Sequence, residues 1–201
     1  METGNAIRTQ SRPEAQRVSD LFRYFGGLGG ELKGETIPLG EKWLSYTRRE
    51  PLGVVAAIVP WNVPILIAAW KLAPALIAGN TVVLKPSAHA PLATLAFARI
   101  CERHLPKGVL NVVTGTGEEV GTPLAEHPQV AKISFTGNTE TGKAILRLAA
   151  DRIIPVTLEL GGKSPQILFP DADDDRTADG VIEAMRFARQ GQSCTAGSRL
   201  F

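Results

Sequence analysis

The chain has 201 residues, of which 44% are hydrophobic and 21% charged, and its 22 basic and 20 acidic side chains leave a formal net charge of +2. This composition is typical of a globular protein that buries one sizeable core, or one domain and part of another. The charges are mixed along the sequence, so no basic patch indicates a nucleic-acid partner.

The predicted elements alternate between helices and strands along most of the chain. The first two are an amphipathic helix over Ser11–Lys33 and a short, turn-rich, strand-like stretch over Thr36–Arg49. The strands that follow are Val54–Val59, Thr81–Leu84, Val109–Val113, Val130–Phe135, Pro155–Leu158 and Gln166–Phe169. The helices between them are Pro64–Ile77, Pro91–His104, Glu118–Leu124, Thr139–Ala150 and Asp175–Arg189. This alternation predicts an α/β fold with a mostly parallel sheet covered by helices on both faces.

The stretch Val54–Gly79 is long and apolar, and Lys71 is its one charged residue. In a bilayer, backbone groups would lose their partners at Pro60, Pro64 and Pro74. A buried strand followed by a buried helix accommodates the same residues in a soluble α/β core. We therefore expect no membrane partner.

The two cysteines, Cys101 and Cys194, have the spacing of neither a disulfide framework nor a metal site. Cys101 lies among apolar neighbours in a predicted helix and is interpreted as a packing residue. Free thiols favour a reducing compartment, and the first residues have no signal-peptide pattern. We expect a cytoplasmic protein.

No metal site is predicted. The three histidines, His89, His104 and His127, lack ligand spacing. The acidic run 171–175 lacks the glycine and the terminal glutamate of a calcium loop, and acidic residues at the start of a helix explain it better.

Ligands of a parallel sheet bind beyond the carboxyl ends of its strands. Five of the predicted strands are followed there by informative residues, namely Asn62, Lys85, Gly115, Gly137 and Glu159. These residues are the first candidates for binding and catalysis.

The segment Phe135–Gly142 is a strand end, a glycine turn and a helix start. Such a turn can bind a phosphate, but taken alone it is more often a helix capped by Asn138 or Thr139. Lys85 can reach a ribose or a phosphate, although alone it is interpreted as an ordinary exposed lysine. The glycines of Gly115–Gly117 lack the spacing of the usual dinucleotide fingerprint.

Three residues together indicate acyl chemistry at a carbonyl. Cys194 can attack the carbonyl carbon, Asn62 can donate to the oxygen that becomes negative, and Glu159 can activate water to release the product. Singly they can be a free thiol, a turn former and a surface carboxylate. Jointly these alternatives are improbable.

The sequence resembles the aldehyde dehydrogenase superfamily from its first residues to its last. Five motifs occur in the family's order and approximate spacing: Pro60–Pro64, Lys85–Ser87, Phe135–Gly142, Glu159–Lys163 and Gly191–Cys194. The resemblance implies that Cys194 attacks an aldehyde through a thiohemiacetal and a thioester, while Asn62 and the Cys194 backbone N–H hold the oxyanion. Glu159 would activate the hydrolytic water, and hydride would pass to NAD or NADP.

The resemblance also implies a Rossmann-like fold in two parts. Residues 1–34 and 51–160 would form the NAD(P)-binding domain, 35–50 an oligomerisation strand arm, and 161–201 the start of a second α/β catalytic domain. The full-length parent is expected to be a dimer or tetramer. Cofactor contacts are expected from Trp61, Lys85, Gly115, Gly137, Asn138, Thr139, Gly142, Glu159, Leu160 and Gly161.

The sequence also departs from the family pattern. Ala88 stands where many NAD-preferring members have a glutamate that would repel a 2′-phosphate, so NADP stays open. Asn138 stands where serine is common. Family members are considerably longer, so we expect an incomplete chain that lacks the second half of the catalytic domain.

Two alternatives to an active dehydrogenase follow. One is an inactive, nucleotide-binding fragment of such an enzyme. The other is an acylating enzyme that transfers the acyl group to coenzyme A, but Glu159 argues against it because a water-activating carboxylate serves hydrolysis.

Overall fold

The computed structural model describes residues 2–172 and 174–201, and position 173 of the acidic run lies outside these ranges. The helices are α1 (Arg12–Gly27), α2 (Pro64–Ile77), α3 (Leu92–Glu102), α4 (Thr122–Glu126), α5 (Thr139–Ala150) and α6 (Asp175–Ala184). The strands are β1 (Thr36–Ile37), β2 (Ser45–Tyr46), β3 (Val54–Ile58), β4 (Thr81–Lys85), β5 (Leu110–Val112), β6 (Val130–Gly137), β7 (Val156–Leu160), β8 (Pro165–Gln166) and β9 (Arg199–Leu200). Single helical turns occur at Ile7–Ser11, Gly29–Glu31, Gly117–Gly121, Pro170–Ala172 and Phe187–Arg189.

The main sheet has five strands in the order β5-β4-β3-β6-β7, and all its neighbouring strands are parallel. The predicted α/β class is therefore confirmed. The predicted arm contains β1 and β2, which form a small antiparallel pair. In the C-terminal part, β8 and β9 form a separate parallel pair.

Helices cover both faces of this sheet, as predicted. Because side chains alternate along a strand, Val55 and Ala57 of β3 face one side and Ala56 and Ile58 the other. The first pair packs in one core with residues of α1, α2 and α3. The second pair packs in another core with residues of α4 and α5.

The start of α2 is held by a residue of α1. Its own N-cap, Val63, provides no side-chain hydrogen bond. Instead, the buried carboxylate of Glu14 accepts hydrogen bonds from the backbone N–H groups of Ile65 (3.1 Å) and Leu66 (3.2 Å). Burial raises the pKa of Glu14, and these two bonds oppose the rise. The carboxylate satisfies donors that every helix start leaves free.

No helix in the described part of the chain is long and apolar enough to span a membrane. The first residues of the apolar run Val54–Gly79 form β3, and more than half of the run forms α2.

Three predicted elements were too long. The helix predicted over Ser11–Lys33 ends at Gly27, because further glycines at 29 and 30 disfavour helix. The helix predicted over Asp175–Arg189 ends at Ala184, and Arg186 adopts a left-handed φ of 59°. The strand predicted over Gln166–Phe169 is the two-residue β8. The helix predicted over Glu118–Leu124 is divided between the helical turn Gly117–Gly121 and α4, which begins at Thr122. The other boundaries agree within two residues, the usual uncertainty of element ends.

Three strands extend further than predicted, so that three of the candidate site residues lie within strands and not after them. Lys85, Gly137 and Glu159 were expected after their strands, but they belong to β4, β6 and β7. The parallel ladder explains the difference, since Lys85 pairs with Ile58 of β3 and Gly137 pairs with Leu160 of β7. Asn62 and Gly115 do follow their strands.

We predict that Asn80→Ala lowers the free energy of unfolding by about 2–4 kcal/mol. Asn80 is buried, and its Oδ1 accepts from the N–H groups of Leu52 (2.7 Å) and Gly53 (3.1 Å) at the entry to β3. Its Nδ2 donates to the Ala75 carbonyl (3.0 Å). The variant leaves the N–H groups of Leu52 and Gly53 without their acceptor, whereas the Ala75 carbonyl still accepts from the backbone N–H of residue 80. Urea unfolding would measure the loss.

The matched control is Asn111→Ala, which removes one exposed hydrogen bond from Nδ2 to the Gly108 carbonyl. We expect it to cost less than about 1 kcal/mol. Equal losses in the two variants would contradict the role given to Asn80.

Candidate functional site

The candidate residues gather at one edge of the main sheet, where its parallel strands end. Lys85 lies beside Ile58 at the ends of β4 and β3, and Glu159 lies beside Thr136 in β7 and β6. Asn62 lies in the loop between β3 and α2. This edge is where ligands of a parallel sheet bind.

Asn62 links this loop to the segment that carries the cysteine. Its Nδ2 donates to the Gln192 carbonyl at 3.0 Å, across 130 residues of sequence. Its backbone carbonyl accepts from Nδ2 of the buried Asn5 at 2.8 Å. Because a side-chain amide carries two N–H groups, Asn62 keeps one for a ligand.

Cys194 lies on a tight turn. Gln190 and Gly191, just before it, have left-handed φ values of 56° and 71°. After it, the Gly197 N–H donates to the Ala184 carbonyl at 3.0 Å, which ties the turn to the end of α6. The thiol is exposed, and the Cys194 N–H donates to no group among residues 2–172 and 174–201.

Asn62 and Cys194 line the same cleft, whose volume is about 430 Å³. Much of its wall is aliphatic or aromatic and comes from α1 and α2, including Leu66 and Trp70. A cleft of this size, with a nucleophile and an amide donor at its surface, can hold a small organic molecule. The structure thus brings together two of the three predicted catalytic residues.

Glu159 does not line this cleft as far as the chain is described. Its side chain is exposed, and it lies within electrostatic range of Lys71. Lys71 is buried in α2, where its Nζ donates to Ser134 Oγ at 3.0 Å. Burial lowers the pKa of Lys71 to about 8, and Glu159 partly opposes this. The third catalytic candidate therefore has a charged neighbour that the motif did not reveal.

Lys85 is buried rather than exposed, so its interpretation as an ordinary surface lysine is wrong. Its Nζ donates to the Pro86 carbonyl at 3.1 Å, and it forms no salt bridge within the described ranges. Burial lowers its pKa. The ammonium group keeps donors that a ribose or a phosphate can use.

The turn between β6 and α5 has the cap that its sequence favours. Asn138 Oδ1 accepts from the Thr141 N–H at 2.8 Å, while Thr139 is the first residue of the helix. Gly142 packs closely against β7, because a Cβ there would lie 2.7 Å from a methyl group of Leu160 and that side chain would have to shift. A capped helix start still presents N–H groups and a positive dipole end to an anion.

Other predicted cofactor contacts lie near the same edge. Trp61 is exposed in the loop before Asn62. Gly115 has a φ of 153°, and a Cβ there would lie 2.4 Å from Val120, so this position requires glycine. At Gly161 a Cβ would meet no atom within 4 Å, which leaves room beside the strand end. Thr136 Oγ1 is buried and has no hydrogen-bond partner among the residues described.

The sequence did not reveal several residues of the site. Lys71 was visible only as the one charge in an apolar run, which is itself a signal of a buried, partnered lysine. Arg17 and Arg189, which also line the cleft, come from segments with no motif. Asn5 had no sequence signal at all.

Metal ligands do not cluster in the part of the chain that the structure describes: no group of three His, Cys, Asp or Glu residues could hold an ion. The three histidines are exposed.

The comparisons with known proteins agree on one family. Residues 1–201 match the family described as the aldehyde dehydrogenase family. A putative aldehyde dehydrogenase from Burkholderia cenocepacia is 48% identical with a TM-score of 0.88, and the match covers 93% of this chain and 38% of that one.

Two further solved structures are similar to this chain in sequence and in fold. An NAD+ complex of aldehyde dehydrogenase from Bacillus cereus is 43% identical, with a TM-score of 0.88 and coverage of 92% of this chain and 38% of that one. An NAD-dependent aldehyde dehydrogenase from Sinorhizobium meliloti is 42% identical, with a TM-score of 0.93 and coverage of 99% and 40%. The chain thus spans about two fifths of the length of these structures. Because the family match covers it completely, the chain belongs to the aldehyde dehydrogenase family.

Proposed function

We propose that this chain carries the nucleophile, the oxyanion donor and most of the cofactor contacts of an NAD(P)-dependent enzyme that oxidises an aldehyde to a carboxylic acid. The observation that carries the proposal is the hydrogen bond from Asn62 to the Gln192 carbonyl, which brings Asn62 beside the Cys194 turn. Both residues line one cleft. The similarity to an NAD-dependent relative and to an NAD+ complex supports the cofactor.

The first step is addition of the Cys194 thiolate to the aldehyde carbon. A C–S bond forms while the carbonyl π pair moves onto oxygen, giving a thiohemiacetal anion. The second N–H of Asn62 Nδ2 and the backbone N–H of Cys194 are both available to donate to that oxygen. Fixed donors stabilise this anion more than they stabilise the neutral carbonyl, which lowers the barrier.

A bound nicotinamide cofactor would supply the acceptor for the hydride that leaves the thiohemiacetal carbon, as the oxyanion pair re-forms the C=O bond and leaves a thioester on Cys194. Lys85, with its free ammonium donors, and the capped turn Gly137–Gly142 are proposed to hold the cofactor's ribose and phosphates. The buried Thr136 hydroxyl, for which the described residues provide no partner, fits the same polar ligand. Ala88 is exposed and uncharged, so both NAD and NADP stay candidates.

Glu159 is proposed to complete the cycle. It takes a proton from water as the water oxygen attacks the Cys194 thioester, so the C–S bond breaks, the acid leaves and the thiolate returns. The exposed side chain of Glu159 can reach solvent water. This role favours hydrolysis over transfer of the acyl group to coenzyme A. The alternative of an inactive, nucleotide-binding fragment is an outcome of the first experiment below.

Assembly and location are part of the same proposal. The strand arm of residues 35–50 exposes Trp43, Leu44 and Tyr46, whose accessible fractions are 73%, 82% and 65%. Exposed apolar groups of this size are typical of a surface that another subunit covers. We propose a homo-oligomer for the whole enzyme, domains divided as the sequence predicts, and a cytoplasmic location in keeping with two free thiols.

The direct experiment incubates the purified chain with a panel of aldehydes and NAD or NADP and follows the ultraviolet absorbance of reduced cofactor. We expect Cys194→Ala to lower the rate by about a thousand-fold or more, because the nucleophile is removed. Cys101→Ala is the matched control and should keep the rate. Turnover by Cys194→Ala at the normal rate would refute the mechanism, whereas no turnover by either protein would leave the nucleotide-binding alternative.

We predict that Lys85→Met weakens nucleotide binding by about ten-fold, because a buried ammonium contributes charge-assisted hydrogen bonds. Titration calorimetry with NAD and NADP measures the affinity without turnover. Lys107→Met, which changes an exposed loop lysine, is the control and should bind normally. Equal affinity of the two variants would contradict the role of Lys85.

We predict a pH-dependent stability that depends on Lys71. Its pKa is about 8 in the fold and about 10.4 when unfolded, so between these values the unfolded chain binds more protons. The free energy of unfolding should therefore rise with pH across this window, by up to about 3 kcal/mol from this residue. Chemical unfolding at several pH values measures it.

The comparison that isolates this effect uses Lys71→Met, which should remove the rise, and Lys107→Met, which changes an exposed loop lysine and should keep the rise. The same pH dependence in all three proteins would show that Lys71 is not a buried ammonium.

A further inference from the structure

Two guanidinium groups line the cleft that contains Cys194. Arg17 comes from α1, and Arg189 comes from the turn that precedes the cysteine. The remaining wall is largely aliphatic and aromatic, with Leu66, Ile67 and Trp70 on the α2 side. Apolar walls beside a charge reduce the screening by water and strengthen its field in the cleft.

Neither arginine forms a salt bridge with a carboxylate in the ranges that the structure describes. Arg189 Nε donates to the neutral side chain of Gln10. Electrostatic effects on Arg189 from Arg17 and from Cys194 indicate that the three groups are neighbours. Burial lowers the pKa of Arg189, yet an arginine stays charged at neutral pH.

The carboxylates near the cleft offset only part of the positive charge of Arg17 and Arg189. Asp20 lines the same cleft, but its Oδ1 accepts from Gln16 Nε2 at 3.0 Å, one helical turn back along α1. Glu14 acts electrostatically on Arg189 and offsets part of its charge, but its buried carboxylate is also bonded to the first N–H groups of α2. A further arginine, Arg186, lies near Arg189 and adds positive charge. The lining residues of the cleft therefore carry a net charge of +1, from Arg17, Arg189 and Asp20.

We propose that this cleft selects aldehydes that carry a second, anionic group, with Arg17 and Arg189 as the residues that bind the anion. The substrate class is a semialdehyde, whose carboxylate pairs with the guanidinium groups while its aldehyde carbon faces Cys194. A planar guanidinium matches a carboxylate in a bidentate pair. The proposal rests on the function proposed above, and oxidation of such a substrate gives a dicarboxylic acid.

The test compares two alkylating probes at Cys194, anionic iodoacetate and neutral iodoacetamide. In each reaction the thiolate displaces iodide from the CH₂ group and a thioether forms. Because both probes need the same thiolate, the ratio of their rate constants cancels any change in its ionisation and reports the local field. Peptide mass spectrometry assigns the modification to Cys194 rather than Cys101, whose thiol is half-buried with a pKa raised by burial.

We expect the iodoacetate-to-iodoacetamide ratio to exceed that of a neutral model thiol, and to fall as salt is added. Arg17→Met and Arg189→Met should each lower the ratio about three-fold, and Asp20→Asn should raise it by a similar factor. Arg17 is exposed on α1, so this variant should fold normally even if the Arg189 variant does not. Arg23→Met, also exposed on α1 but not lining the cleft, is the matched control and should leave the ratio unchanged.

A ratio equal to that of the model thiol, or one that Arg17→Met leaves unchanged, would overturn the proposal. The alkylation needs neither cofactor nor turnover, so it can succeed even where the dehydrogenase experiment fails. Conversely, where the chain does oxidise aldehydes, a semialdehyde and a neutral aldehyde of equal length should differ in kcat/KM, and Arg17→Met should reduce that difference. Equal kcat/KM values in both proteins would refute the anion site while leaving the dehydrogenase intact.

Discussion

The constraint on which the rest of the structure depends is the burial of β3 on both faces. Val55, Ala56 and Ala57 are almost completely inaccessible to water, so polar side chains have no place along the middle of this strand. Polar groups gather instead where the strands end, and the loop after β3 provides Asn62. The hydrogen bond from Asn62 to Gln192 then brings the Cys194 turn to the same edge. The burial of β3 therefore explains why the candidate residues lie at the end of the strand and not along it.

Much of the fold could be predicted from the sequence because local patterns and burial agree. Alternating apolar strands and amphipathic helices indicated a parallel sheet. The end of the first helix was predicted too late, at Lys33, because the effect of the glycines that follow Phe25 was underestimated. The strand ends were less predictable, since Lys85 and Gly137 join the ladder through partners far away in sequence. The break in the last predicted helix was also missed, because the left-handed Arg186 is no glycine and gives no local signal.

The candidate site residues could be identified from sequence where they belong to a motif with a specific chemical role. They were harder to interpret where burial in the fold decides what a side chain can do. Cys194 and Asn62 were identified from their motifs, and the cleft contains both. Lys85 alone was interpreted as exposed, because the sequence does not show that its side chain is buried with its Nζ bonded to the Pro86 carbonyl. The basic lining of the cleft by Arg17 and Arg189 was not predictable either, since these residues meet only through tertiary packing.

The most direct test of the central claim, that Cys194 is the nucleophile, is to trap its acyl intermediate. Glu159→Gln should still add the thiolate to an aldehyde in the presence of oxidised cofactor but should hydrolyse the thioester slowly. Intact-mass and peptide analysis should then find one acyl group, on Cys194, and none when Cys194 is replaced by alanine. An acyl group on Cys101, or no acyl group while reduced cofactor still forms, would contradict the account.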